Sequence, residues 1–540
     1  MARGVPRSRL EDAEHGIGTR VSDPGGGMGQ GGSDGEDDGE RTDGGGLGEL
    51  MGVGAVTTEA VRVFVRSPVE GSFVYRAKDE SLAGEARAPR GEATDFTSVF
   101  EIDGLRPGTR YAVDVEAPGG ARRTLRFRTS TRRGERTGRV AVAVASCHQP
   151  FDGDGRVHRE AVPMLTATDR LLRELDVDAL FLVGDQVYAD EPEGRSLFDP
   201  EHFAEVGPRH RQDLFDCTRE EVRRLFQGRS RAWLGLPAFE ELCRGRPTYM
   251  MVDDHEVVDN FGTDPAHGTE RWAPVRDGAL DATFDYQALR AVERPEAGHR
   301  PSDFDFQLRT GGLAVYGLDL RSQRRATEDD AQVVSSGQLR ALEGFLAEHE
   351  DASVACLVLS VPLVHVPRWL ADAGALLEGV GGNAEDRWSH EKNRGDRRAL
   401  IELLTRAQRR APGRRLVFLG GDVHVGAVSR FDWTEPGLPP TYQLVSSALT
   451  NVENPLFQAI AVLGAGISAS LPGEASQQSA ANVELLSGVE GVDTNPYGGL
   501  NVGILEVFDG DDGRDDAAIR MRLFGWEDGR LEPVFDSGER

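Results

Sequence analysis

Four apolar runs in this chain each end in a short group of residues able to do chemistry. Val140–Ala145 leads into Ser146, Cys147 and His148, and Ala179–Val183 into Gly184, Asp185, Gln186, Val187 and Tyr188. Tyr249–Val252 leads into Asp253, Asp254, His255 and Glu256, and Leu416–Leu419 into Gly420, Gly421, Asp422, Val423 and His424. Thiolate, phenolate and imidazole suit a transition metal, whereas carboxylates suit a hard cation such as calcium, magnesium or manganese. Asp185 stands three residues before Tyr188, so one turn can bring both to a single ion, and the second carboxylate oxygen can bridge to another. Two ions about 3.5–4 Å apart clamp the attacking and leaving oxygens of an in-line phosphoryl displacement and acidify the attacking water. His255 and His424 are the residues suited to protonate a leaving group. The donor mixture points to a metal-dependent hydrolase of phosphate esters rather than to a nucleophilic triad.

Buried runs of four to eight apolar residues bounded by turn residues read as central strands of a covered sheet. In open α/β sheets, ligands bind beyond the carboxyl ends of such strands, so the four loops are expected to meet at one cleft. Two further strands are expected at Leu313–Leu320 and Ala355–Val361. Helical apolar spacing appears at Leu171–Leu175, Gln338–Ala347 and Arg398–Gln408. Alternating strand and helix signals support an α/β layered fold, with mixed sheets flanked by helices.

Taken in order, the motifs resemble the PhoD-like alkaline phosphatases, a branch of the calcineurin-like metallophosphoesterases. The resemblance runs from about residue 138 onward. It rests on Ala145-Ser146-Cys147, Gly184-Asp185-x-x-Tyr188, Asp253-Asp254-His255-Glu256 with Asp259-Asn260, and Gly421-Asp422-x-His424. Weaker echoes are Asp319-Leu320-Arg321 with Arg324, Gly337-Gln338-Leu339, Ser360-Val361-Pro362-Leu363, and Asp386-Arg387-Trp388. The resemblance implies a ferric ion held by Cys147, Asp185, Tyr188 and His424, and calcium held by Asp185, Asp254 and Asp422. Asn260 is the reserve amide ligand, since Asp254 stands where the wider superfamily has Asn. His255 is then the acid or phosphate-contacting histidine, and Arg321 and Arg324 are candidate phosphate forks. His365, in an apolar neighbourhood, is left out of the site.

The mechanism expected is direct attack by a metal-bound hydroxide on phosphomonoesters or phosphodiesters at alkaline pH, with no covalent enzyme intermediate. Asp253 is read as orienting its neighbours, Glu256 as a helix cap, Asp190 and Glu191 as surface groups, and Trp388 as a lid or wall. Two other classes compete. One is a catalytically silent scaffold that binds a partner. The other is a cysteine hydrolase built on Cys147 and His148, which adjacent positions on one strand disfavour because they face opposite ways.

The chain has 540 residues, room for more than one domain, and a formal net charge of −28, which excludes nucleic acid as a bulk partner. Its four cysteines show no spacing typical of a zinc site or a disulfide framework, and Cys217, Cys243 and Cys356 read as small buried hydrophobes. Residues 1–50 are rich in Gly, Asp, Glu and Ser and read as a disordered leader. Residues 55–130 carry short strands (Val61–Val65, Gly71–Tyr75, Thr97–Ile102, Arg110–Val115), and Gly104–Tyr111 resembles the strand–turn–strand signature of fibronectin type III domains. There the Tyr hydroxyl is expected to fix a corner. Thr129–Gly138 is the expected linker, and 138–540 the metallophosphatase domain. Ala459–Leu471 is apolar but too short for a bilayer span, which takes about 20 residues, so a buried helix or lid is expected there. The arginines of Met1–Leu10 precede no apolar run of signal length. A cytoplasmic protein is the expectation as written, or an extracellular or periplasmic one if the true start differs, with a monomer favoured.

Overall fold

A computed structural model describes residues 48–540 apart from 79–81, 89–90, 296–299, 365–384, 453–468, 473–478 and 510–516, and, for their side chains, 469–472 and 479. The expected leader (except Gly48 to Leu50), His365 and most of Ala459–Leu471 lie outside the described residues. Ala469–Pro472, at the end of that apolar stretch, is a strand.

Two sheets form the main body. A six-stranded sheet runs Thr248–Met250, Ala179–Leu182, Arg139–Ala145, Asn501–Phe508, Ala518–Glu527 and Arg530–Asp536. The first three strands are parallel. The eight-stranded sheet is centred on Leu313–Leu318, Val354–Leu359, Arg415–Gly420 and Thr441–Val445, all parallel. Alternation along each strand explains the layering. Val140, Val142 and Val144 pack with Val315, Val358 and Leu419 of the other sheet, while Ala141, Ala143 and Ala145 face Met164, Leu165 and Leu172 of the helix Ala161–Glu174. On the far side, Tyr316, Leu357 and Phe418 pack under Leu342 and Leu400, from the helices Ser336–Glu348 and Arg394–Arg410. The result is helix, sheet, sheet, helix, with every central strand covered on both faces.

The N-terminal part is antiparallel throughout. A three-stranded sheet (Leu50–Val56, Ala60–Arg66, Thr97–Asp103) faces a four-stranded one ordered Ala83–Ala86, Phe73–Ala77, Arg110–Glu116, Arg122–Arg128. Its first strand lies ahead of the expected start at residue 55. Val63, Phe73, Phe100, Val113 and Leu125 fill the space between the sheets. The Tyr111 hydroxyl accepts the Arg106 amide at 2.9 Å across a turn whose Gly104 and Gly108 have φ of 75° and 60°. That is the corner bond expected from the sequence.

Candidate metal centre

The loops after Arg139–Ala145, Ala179–Leu182, Thr248–Met250 and Arg415–Gly420 converge at one end of the two sheets, as the strand-end argument requires. Each turns sharply to aim a side chain inward. Cys147, Asp185, Asn260, Asp422 and His424 all have positive φ, between 52° and 64°. Side-chain-bearing residues seldom adopt that region, and its cost is commonly stored at functional sites. The turns also need bare backbone. A Cβ on Gly184, at φ 113°, would fall 2.4 Å from the Asp253 Cβ, and one on Gly421 2.4 Å from the Ser146 hydroxyl.

The carboxylates meet. Oxygens of Asp185, Asp253, Asp254 and Asp422 all lie within 4.8 Å of one another, and a nitrogen of His255 joins Asp185 and Asp254 at the same limit. Cys147, fully buried, places its Sγ 3.4 Å from Asp185 Oδ2 and accepts the Ser447 hydroxyl at 3.1 Å. Tyr188, also buried, accepts from Asn451 Nδ2 at 3.1 Å and stacks on His255 with ring centres 4.3 Å apart. Asn260 donates its amide to Asp254 Oδ2 at 2.7 Å, while its own Oδ1 is buried with no hydrogen-bond partner. Asp253 Oδ2 is orphaned in the same way. His424 lies half-buried on the Asp422 loop, its amide donating to Ser447 Oγ at 3.1 Å.

Burial, Cys147 and Asp254 push the Asp185 carboxyl well above the usual carboxylate range. Burial likewise raises the Cys147 thiol and the Tyr188 phenol, and pushes Asp253 up to about 7. Asp254 goes the other way, because Arg321 and His255 outweigh its burial. Asp185 and Asp253 resist ionisation beside orphaned oxygens, and a bound cation inverts that pKa pattern and partners such oxygens. The residues present therefore fit a metal centre.

Several neighbours act differently from their sequence reading. Glu256 is not a helix cap. Its carboxylate accepts the amides of Asp185 (3.0 Å), Gln186 (2.7 Å), Val187 (3.2 Å) and Asp253 (2.8 Å), tying two ligand loops together. Asp190 is not a surface group: it holds His255 Nδ1 at 2.9 Å, and with Asp254 it overcomes burial to raise the ring well above its usual value. Trp388 is no lid; it is buried with Leu400 against the outer face of the eight-stranded sheet. Arg321, expected as a phosphate fork, is fully buried behind the acids. It bonds Asp253, the Phe261 carbonyl at 3.1 Å, and both oxygens of Asp386 at 2.6 and 2.8 Å. Arg324 is similarly spent on Asp386, at 2.9 Å. Sequence reasoning missed Arg387, whose guanidinium pairs with Asp422. Its one signal was its place beside Asp386 and Trp388.

A family model described as PhoD-like phosphatase matches residues 142–482. Among solved structures, one titled "Structure of PhoD" is similar at a TM-score of 0.60 and 15% identity, covering 90% of this chain and 91% of its own. A 5'-nucleotidase from Candida albicans SC5314 matches at a TM-score of 0.24 and 10% identity over 59% of this chain and 47% of its own, too little to carry weight. Comparison with curated protein sequences gives no significant match.

Proposed function

Because the chain belongs to the PhoD-like phosphatases, we propose that this phosphoesterase works at a metal centre built by the four strand-end loops, on phosphomonoesters, phosphodiesters or both. The observation that carries the reading is the convergence of Asp185, Asp253, Asp254 and Asp422 within 4.8 Å, beside the orphaned Asn260 oxygen. Cys147, Asp185, Tyr188 and His424 are the proposed donors to a ferric ion. Asp185, Asp254 and Asp422, with Asn260 in reserve, are those proposed for calcium. Bound cations supply the charge that neutralises phosphoryl oxygens and acidifies the attacking water.

The chain's own residues do the rest. Asp190 fixes the His255 ring through Nδ1, and Nε2, the nitrogen that Asp190 does not hold, is the one proposed to give its proton to a leaving oxygen. Tyr188 stacks on that ring and limits its rotation. Arg321 holds the Asp253 carboxylate from behind and Glu256 ties the backbone of the two loops, so that they do not reorganise as charge develops. Among the described residues no helix is long and apolar enough to cross a membrane.

Metal analysis of the purified protein with a visible spectrum, alongside hydrolysis of aryl phosphate monoesters and diesters, tests the reading. Stoichiometric iron and calcium, a charge-transfer band lost in Tyr188→Phe, and chelator-sensitive turnover are the expected results. A colourless, metal-free protein that stays inactive after reconstitution sinks the proposal and leaves a scaffold.

A further inference from the structure

Three arginines lie in or behind the carboxylate cluster, Arg324 only through Asp386, and they differ in how much of each is already committed. Arg321 and Arg324 have side chains 0% and 1% exposed, and both are anchored on Asp386. The Arg387 side chain is 16% exposed and pairs with Asp422 Oδ2 through Nη1. Its backbone, in contrast, is pinned. Asp386, the residue before it, takes both forks described above, and the Arg387 carbonyl accepts from Asn393 Nδ2 at 2.8 Å. The next carbonyl, that of Trp388, accepts from Arg397. A fixed base thus carries a solvent-reaching guanidinium to the edge of the acid cluster.

Asp422 is one of the four converging acids, so a cation that takes its oxygens competes with Arg387 for them. We propose that Arg387 is the phosphate-binding arginine of this centre: it neutralises Asp422 while the cation is absent and turns to the phosphoryl oxygens of the ester when Asp422 serves the cation. The guanidinium fork matches phosphate oxygens as well as it does a carboxylate. This assigns to Arg387 the role that the sequence suggested for Arg321 and Arg324, and it rests on the phosphoesterase reading above.

The test uses the full chain and the variants Arg387→Ala and Arg387→Lys. For each, metal content, KM and kcat for an aryl phosphate, and the inhibition constant of inorganic phosphate are measured, and Mn2+ is titrated into chelator-stripped protein by calorimetry. Arg387→Ala is expected to raise KM and the phosphate inhibition constant at least tenfold, with Arg387→Lys between it and the parent. Arg387→Ala is also expected to bind Mn2+ at least threefold more tightly, because the competing cation is gone. Tighter metal binding in Arg387→Ala reports the competition for Asp422, and the raised phosphate inhibition constant reports the hold on phosphate; the assignment needs both. Unchanged phosphate inhibition, or Mn2+ binding that is equal or weaker in both variants, overturns the assignment. If the parent protein itself shows neither turnover nor phosphate inhibition, it is the phosphoesterase reading that fails.

Discussion

At the scale of single residues, the chain spends conformational energy where its chemistry is expected. Cys147, Asp185, Asn260, Asp422 and His424 sit in the left-handed region, each at a cost on the order of 1 kcal/mol or more that the packed loops must over-determine. Among these, Asp185 is the most heavily shared. It faces the Cys147 Sγ at 3.4 Å, takes a long 3.4 Å bond from the His255 amide, and belongs to both candidate metal clusters. Asp185→Asn keeps the shape and removes the bridging charge. We expect metal content to fall and kcat to drop by about 100-fold or more, in line with losing an electrostatic stabiliser. Turnover near the parent level at normal metal content would refute a shared carboxylate. The strand-end placement of these groups and their meeting at one end of the sheets were legible in the sequence, because each chemically distinctive residue follows an apolar strand. The supporting groups were not. Asp190 and Arg387 are ordinary charged residues in sequence, and only the fold shows that one touches His255 and the other Asp422.

At the scale of elements, legibility tracked how one-sided the burial is. Val140–Ala145, Leu313–Leu320 and Ala355–Val361 were readable as strands because central parallel strands are apolar throughout, and the observed bounds differ by a residue or two. The helices Arg219–Leu234 and Ala273–Tyr286 were missed. The second is buried on nearly every side, so it has no polar face to reveal a period, and its acids are answered from the first: Asp281 by Arg219 and Asp285 by Arg223. Glu256 shows the same limit in a loop. Beside a strand end it resembles a cap, yet it gathers four backbone amides from two loops and a fifth donor, Gln287 Nε2, at 3.2 Å. Glu256→Gln would aim an NH2 group at those amides, leaving buried donors unpaired at a cost of about 3 kcal/mol. The expected outcome is a lower urea midpoint together with weaker Mn2+ binding. Loss of stability with unaltered metal binding would show that the two loops are positioned without Glu256.

At the scale of the whole molecule, the N-terminal sheets are fastened to the catalytic body rather than strung before it. Phe64 turns away from the sandwich core toward Tyr286, and the Val56 amide donates to the Tyr249 hydroxyl at 3.3 Å. At the centre of this contact Asp95 gathers Arg66 through both oxygens (2.9 and 3.0 Å), Arg231 (2.6 Å) and the Tyr286 hydroxyl. Burial alone would raise Asp95, but these partners hold it below the usual carboxylate value. Its stabilisation is therefore present above the unfolded carboxyl pKa, near about 3.9, and is lost as pH falls through the lower folded value. Asp95→Asn isolates the charge, since Asn tolerates the φ of 48° found there. With Arg66 fully buried, removing its partner should cost about 3 kcal/mol at pH 7. Urea unfolding in the presence of chelator, at several pH values, should show a parent–variant gap that is steady from pH 7 to about 4 and closes below it as the parent's own carboxyl protonates. A gap that persists undiminished into strong acid, or none at neutral pH, would show that the apolar contact and not this charge lattice joins the two parts.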